Sequence, residues 1–134
     1  VGDERLGRPR VDPQVGPRLE LLAELVTGGT GAPAPVVSAV AHGELLALAP
    51  FGSADGVVAR AVGRLVTIAS GLDPHGLGVP EVYWMRRAAE YRNAAQGFGA
   101  GTPDAVRGWL TLCCRAMQAG AQEALSIAET MSNR

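Results

Sequence analysis

Ala49-Pro50-Phe51-Gly52-Ser53-Ala54-Asp55-Gly56-Val57-Val58-Ala59-Arg60 is the stretch on which the chain turns. Ahead of it, the thirteen residues from Val36 to Leu48 are apolar at Val36, Val37, Ala39, Val40, Ala41, Leu45, Leu46, Ala47 and Leu48. A segment of that length, apolar on every side, predicts a buried helix rather than a strand. Gly43 inside it costs about 1 kcal/mol relative to Ala and points to a close approach by a neighbouring helix. Behind the stretch, Val58, Ala61, Val62, Leu65, Val66, Ala69 and Leu72 recur at the spacing of one helical face. Asp55 is a good N-cap for that second helix, and Gly71 ends it, with Pro74 beyond. The stretch is therefore a short loop between two helices. It ends in Asp-Gly at a helix start, a natural place for an anion.

Outward from this pair, Pro17 opens a helix to about Thr27, with Leu19, Leu22, Leu25 and Val26 on its buried side. Residues 28–35 (GGTGAPAP) form a connector. Its glycines invite a phosphate-loop reading, but no Lys-Ser/Thr follows, and Pro33 and Pro35 remove backbone donors. Residues 1–16 are polar and broken by Pro9 and Pro13, an irregular arm that is ordered only where it packs on the body. Downstream, Pro80-Glu81 starts a helix to about Gly97, with Trp84, Ala88, Tyr91 and Ala95 on one face. Thr102-Pro103-Asp104 combines a hydroxyl cap, a first-turn proline and an acid at the positive helix end. The helix it starts runs to about Glu129 and carries Val106, Leu110, Cys113, Met117, Ala121, Ala124 and Ala128 on one face. No stretch has the marks of a β-hairpin. The expectation is an all-α fold: an arm over 1–16 and one helical domain over 17–134, with a central buried helix pair flanking the 49–60 loop.

Composition narrows the partners. The 134 residues suit one domain with a core that needs no staples. A net charge of −1 gives no reason to expect nucleic acid or an anionic membrane. No apolar run approaches the ~20 residues of a membrane span. The two cysteines, Cys113 and Cys114, are adjacent, which gives no disulfide framework and points to reduced thiols in a cytoplasmic protein. His42 and His75 are too scattered for a metal site, and no Cys/His spacing fits zinc.

The 49–60 stretch resembles the Fic motif, H-P-F-x-[D/E]-G-N-G-R-x-x-R. Pro50, Phe51, Gly56 and Arg60 match it. Ala49 stands at the catalytic His position, Ser53 at the acidic position, Ala54 at the first glycine, Asp55 at the Asn and Val57 at the first Arg. The flanks are similar too. His42 lies seven residues before Ala49, as a His does in the family, and Gly71-Leu72-Asp73-Pro74 looks like the family's turn after the motif helix. Tyr91 and Thr102-Pro103 fit the later helices, so that the likeness covers roughly residues 17–130. The resemblance implies a Fic-like helical bundle. In the family it implies transfer of AMP from ATP to a protein hydroxyl, with the His as base and the loop's Asn, Gly and Arg holding phosphates with Mg²⁺.

Here that chemistry is expected to be lost. A positioned base contributes about 10²- to 10⁴-fold, and Ala49 accepts no proton. Val57 neutralises no phosphate, and Ser53 is a poor Mg²⁺ ligand. Asp55, read as an N-cap carboxylate, takes the N–H groups that an anion needs and sets a negative charge beside them. What remains is a remnant anion loop of Pro50, Phe51, Ser53, Asp55, Gly56 and Arg60. Arg60 is read either as a residual anion contact or as an ion-pair partner of Asp55 or Glu44. His42 is read as a helix–helix hydrogen-bonding residue, and His75 as exposed. The expected function is a pseudoenzyme with no cofactor, binding another protein or a second copy of itself. The alternatives are an enzyme that uses Ser53, Asp55 and Arg60 unconventionally, or a weak ATP/Mg²⁺ sensor.

Overall fold

The structure, a computed structural model, describes residues 7–134. Among them are six helices and no strand: α1 (Val15–Val26), α2 (Ala34–Leu48), α3 (Asp55–Ala69), α4 (Pro80–Arg86), α5 (Ala88–Ala100) and α6 (Pro103–Ser132). The all-α expectation holds.

The hub is α2. Its apolar sequence is explained by the fact that α1, α3, α5 and α6 all pack against it. Ser38, Ala39, Ala41, His42, Gly43 and Leu45 are all buried. Gly43 is required by two rings: a Cβ there would lie 2.7 Å from both Phe98 Cδ1 and Trp109 Nε1. The Trp109 indole N–H donates to the Ala39 carbonyl at 2.8 Å, tying α6 to α2. On the opposite side, the Ser38 hydroxyl donates to the Gly63 carbonyl at 2.9 Å and ties α3 to α2. The short Ser38 side chain reaches a helical carbonyl only because Gly63 lets α3 come close, and the Trp109 ring reaches Ala39 over the space that Gly43 leaves open.

Four expectations need correction. The helix expected over 80–97 is two helices, broken at Arg87 (φ −127°, ψ 42°), whose N–H bonds to the Trp84 carbonyl. No Pro or Gly marks the break. Its effect is to aim Trp84 on α4 and Tyr91 on α5 at the same histidine, while the Arg87 guanidinium stacks 4.1 Å over the Tyr83 ring. The buried face of α3 is Ala59, Gly63 and Val66, whereas Leu65 is largely exposed. Ala59 and Gly63 let α3 lie close to α2, with Val58 and Val62 packed beside them. The core face of α6 is Trp109, Leu112, Cys113, Ala116 and Gly120, while Ala121 and Ala128 are exposed. Finally, the arm is shorter than expected, because Val15 and Gly16 already belong to α1.

The expected cap on α6 is present: Thr102 Oγ1 accepts from the Ala105 N–H at 3.3 Å. No described helix is long and apolar enough to cross a membrane.

Candidate functional site

The 49–60 loop opens where α2 ends. Ala49 adopts the left-handed conformation (φ 44°) and donates its N–H to the Leu45 carbonyl, closing the helix. Gly52 (φ 69°) and Ala54 (φ 57°) are also left-handed. Such a conformation costs a non-glycine residue about 1–2 kcal/mol. The loop backbone thus favours glycine at position 54, where the chain carries alanine.

Asp55 does not cap α3. The N-cap is Ala54, no side chain caps the helix, and Asp55 is its first residue. Its carboxylate instead reaches back and accepts the Phe51 N–H at 2.9 Å. Geometry decides this: with Ala54 left-handed, the Asp55 side chain lies inside the loop rather than over the next turn. The carboxylate cross-braces the loop, and the Gly52 N–H is taken by the Ala49 carbonyl. Pro50 is fully buried, Phe51 is half-buried, and Ser53 and Val57 are exposed.

The arm lies against this loop. The Arg10 guanidinium donates from Nε to the Ala49 carbonyl at 2.7 Å and from Nη2 to the Leu48 carbonyl at 2.8 Å. Its backbone N–H bonds to the Pro50 carbonyl at 2.6 Å, and its stem rests on Gly52. A cation at the negative end of a helix, bonded to its last carbonyls, is stabilising. Arg10→Ala is expected to lower unfolding free energy by about 1–2 kcal/mol, read as a shift in urea midpoint at constant slope. Nothing in the local sequence marks Arg10 for this part, because its contacts lie 38 and 39 residues away.

Arg60 makes neither expected ion pair. Glu44 is taken by Arg18 at 2.8 Å, and Asp55 is used within the loop. The Arg60 guanidinium folds back over the first turn of its own helix, with Nη1 3.2 Å from where a Cβ on Gly56 would stand. It also lies beside Tyr91, whose hydroxyl pKa burial raises more than the Arg60 guanidinium lowers it.

Beneath the loop, His42 is buried at 2% exposure, as its helix–helix role requires. Its Nε2 is 2.8 Å from the Tyr91 hydroxyl, and Trp84 and Trp109 present edge-to-face rings at 4.8 and 5.1 Å. Burial, and then the Arg60 charge, lower its pKa from 6.5 to about 3. An imidazole that resists protonation to this degree is a poor base at neutral pH, and a tyrosine with a raised pKa is a poor nucleophile. Cys113 is buried, and burial pushes its thiol pKa well up. Its neighbour Cys114 is half-exposed, and His75 is exposed as expected. Among the described residues, no group of three His, Cys, Asp or Glu side chains is arranged to hold a metal ion. No protein-family model, curated protein or solved structure matches the chain.

Proposed function

We propose that this protein is a Fic-like pseudoenzyme: a helical scaffold that has lost adenylyl transfer and serves as a protein-binding or regulatory module. The observation that carries the reading is the 49–60 loop itself. It joins two closely packed helices, holds a left-handed residue at the position of the motif's first glycine, and spends its carboxylate on its own Phe51 N–H. Ala49 offers no proton acceptor at the position of the motif's base. The nearest imidazole, His42, is buried and held neutral by hydrophobic surroundings and Arg60.

A second reading, an anion or nucleotide sensor, draws on one feature. Arg60 and the uncapped start of α3 place positive charge together. Against it stands the Asp55 carboxylate in the same loop.

A thermal-shift series with ATP, ADP, AMP and GTP, each with Mg²⁺, separates the two. A ligand that binds only the native form raises the melting temperature. The pseudoenzyme reading expects no change at millimolar nucleotide. A saturable, nucleotide-specific rise establishes the sensor.

A further inference from the structure

Helices α3 and α6 both pack on α2 but scarcely touch each other. Between them lies an open cavity of about 550 Å³, within the range of about 300–1,000 Å³ typical of small-molecule sites. Leu72, Leu77, Met117, Ala121 and Ala124 supply its apolar wall.

The cavity is braced from two sides. Gly120 seats α6 so closely on the 79–80 backbone that a Cβ there would lie 2.6 Å from Pro80 N. The connector between α3 and α4 is tied to itself and to α3. Asp73 accepts the Leu77 and Gly78 N–H groups at 3.0 and 2.8 Å. Arg64 donates to the Gly76 carbonyl at 3.0 Å and to Glu81 at 3.0 Å. The braced connector holds Leu72 and Leu77 on the wall at 50% and 64% exposure instead of burying them. Apolar side chains left in water around a preformed hollow add nothing to folding, and such breaches of the burial rule mark binding sites.

The chemistry of the wall selects the ligand. Its charged members Arg64 and Asp73 are engaged within the protein by the bonds above. An ion entering the cavity would lose hydration without gaining either of them as a partner, which is costly. The uncharged polar groups of the wall are the Thr67 hydroxyl, the Cys114 thiol and the Gln118 amide. Thr67 donates its hydrogen to the Arg64 carbonyl at 2.8 Å, so its oxygen is left to accept. We propose that this cavity binds a neutral, mainly apolar small molecule carrying one uncharged hydrogen-bonding group. The site lies on the C-terminal half of α3, away from the 49–60 loop, and does not rest on the pseudoenzyme reading.

Calorimetric titration of the full chain with 2-naphthol tests it. One site per chain is expected, with a Kd of about 10–100 µM. 2-Naphthoate and 2-naphthylmethylammonium, with the same rings and a charge, should bind at least about tenfold more weakly. Ala121→Trp, on an exposed position of the wall, should fill the cavity and weaken binding about tenfold or more, with unchanged helical circular dichroism. A second measurement needs no variant. Cys114 lines the cavity, whereas Cys113 is buried and its thiol pKa is pushed well up, so iodoacetamide labels Cys114 selectively. 2-Naphthol at ten times its Kd should slow that labelling about tenfold. The proposal is overturned if 2-naphthol does not bind at millimolar concentration, or if either charged compound binds as tightly. It is equally overturned if folded Ala121→Trp binds like the parent chain, or if 2-naphthol binds without protecting Cys114.

Discussion

Trp109→Ala should remove about 4–5 kcal/mol of stability, the upper end of the range for large-to-small core substitutions. Three features place it there. Trp109 is 0% exposed, its N–H is bonded to the Ala39 carbonyl, and its ring fills the space that Gly43 leaves open. Phe98 and Tyr91 lean on it, so their packing weakens as well. In a domain whose total stability is of order 5–15 kcal/mol, such a loss should lower the melting temperature by about 15 °C or more. Thermal melts followed by circular dichroism read it directly. A fall below about 1 kcal/mol contradicts the docking of α6 on α2.

The second large effect is an acid transition set by His42. Its pKa is lowered in the fold to about 3 from 6.5. The folded state disfavours the imidazolium, so at acidic pH the unfolded chain binds the proton that the folded chain refuses. The stabilisation is fully present above pH 6.5 and is lost progressively as pH falls from 6.5 toward 3. The limiting slope is about 1.4 kcal/mol per pH unit. Carboxylates contribute little until about pH 4–5, so the onset near pH 6 belongs to the histidine. His42→Gln should lose stability at pH 7 through the missing Tyr91 contact and repacking, yet show a flatter profile between pH 6.5 and 5. Denaturant titrations of both chains across that range measure the difference. Parallel profiles contradict the buried, neutral imidazole.

Much of this was legible from residue pattern alone. The uniformly apolar segment before the loop announced α2 as the buried centre, and Gly43 within it announced a close neighbour. Thr102-Pro103-Asp104 announced the start of α6. What the pattern hid arose from contacts between distant parts of the chain. The break at Arg87 carries no helix-breaking residue, and the convergence of Trp84 and Tyr91 on His42 that goes with it is a contact between distant parts of the chain. On α3 the apolar spacing locates Val58, Val62 and Val66 on or beside the core but not the rest of the buried side, since Ala61, Leu65, Ala69 and Leu72 are exposed. The contact with α2 buries Ala59 and Gly63 together with Val66 and leaves Leu65 outside.

At the candidate site, the substitutions at positions 49, 53, 54, 55 and 57 were visible as departures from a motif. Their structural outcome was not. Asp55 has the residue type and position of a cap, yet behind a left-handed Ala54 its carboxylate turns into the loop and braces Phe51. Of the two readings of Arg60, an anion contact or an ion pair with Asp55 or Glu44, the ion pair is absent, because both carboxylates are engaged elsewhere. Arg10 had no local signal at all, yet it is the side chain that ties the arm to the end of α2.

The most direct test of the proposed pseudoenzyme is a transfer assay. The full chain is incubated with Mg²⁺ and ATP labelled at the α-phosphate, alone and with a cell extract, and the protein fraction is examined for retained label. The account predicts none on this chain and none on any other protein that depends on its presence. Covalent AMP on the chain, or on a protein labelled only when the chain is added, contradicts it.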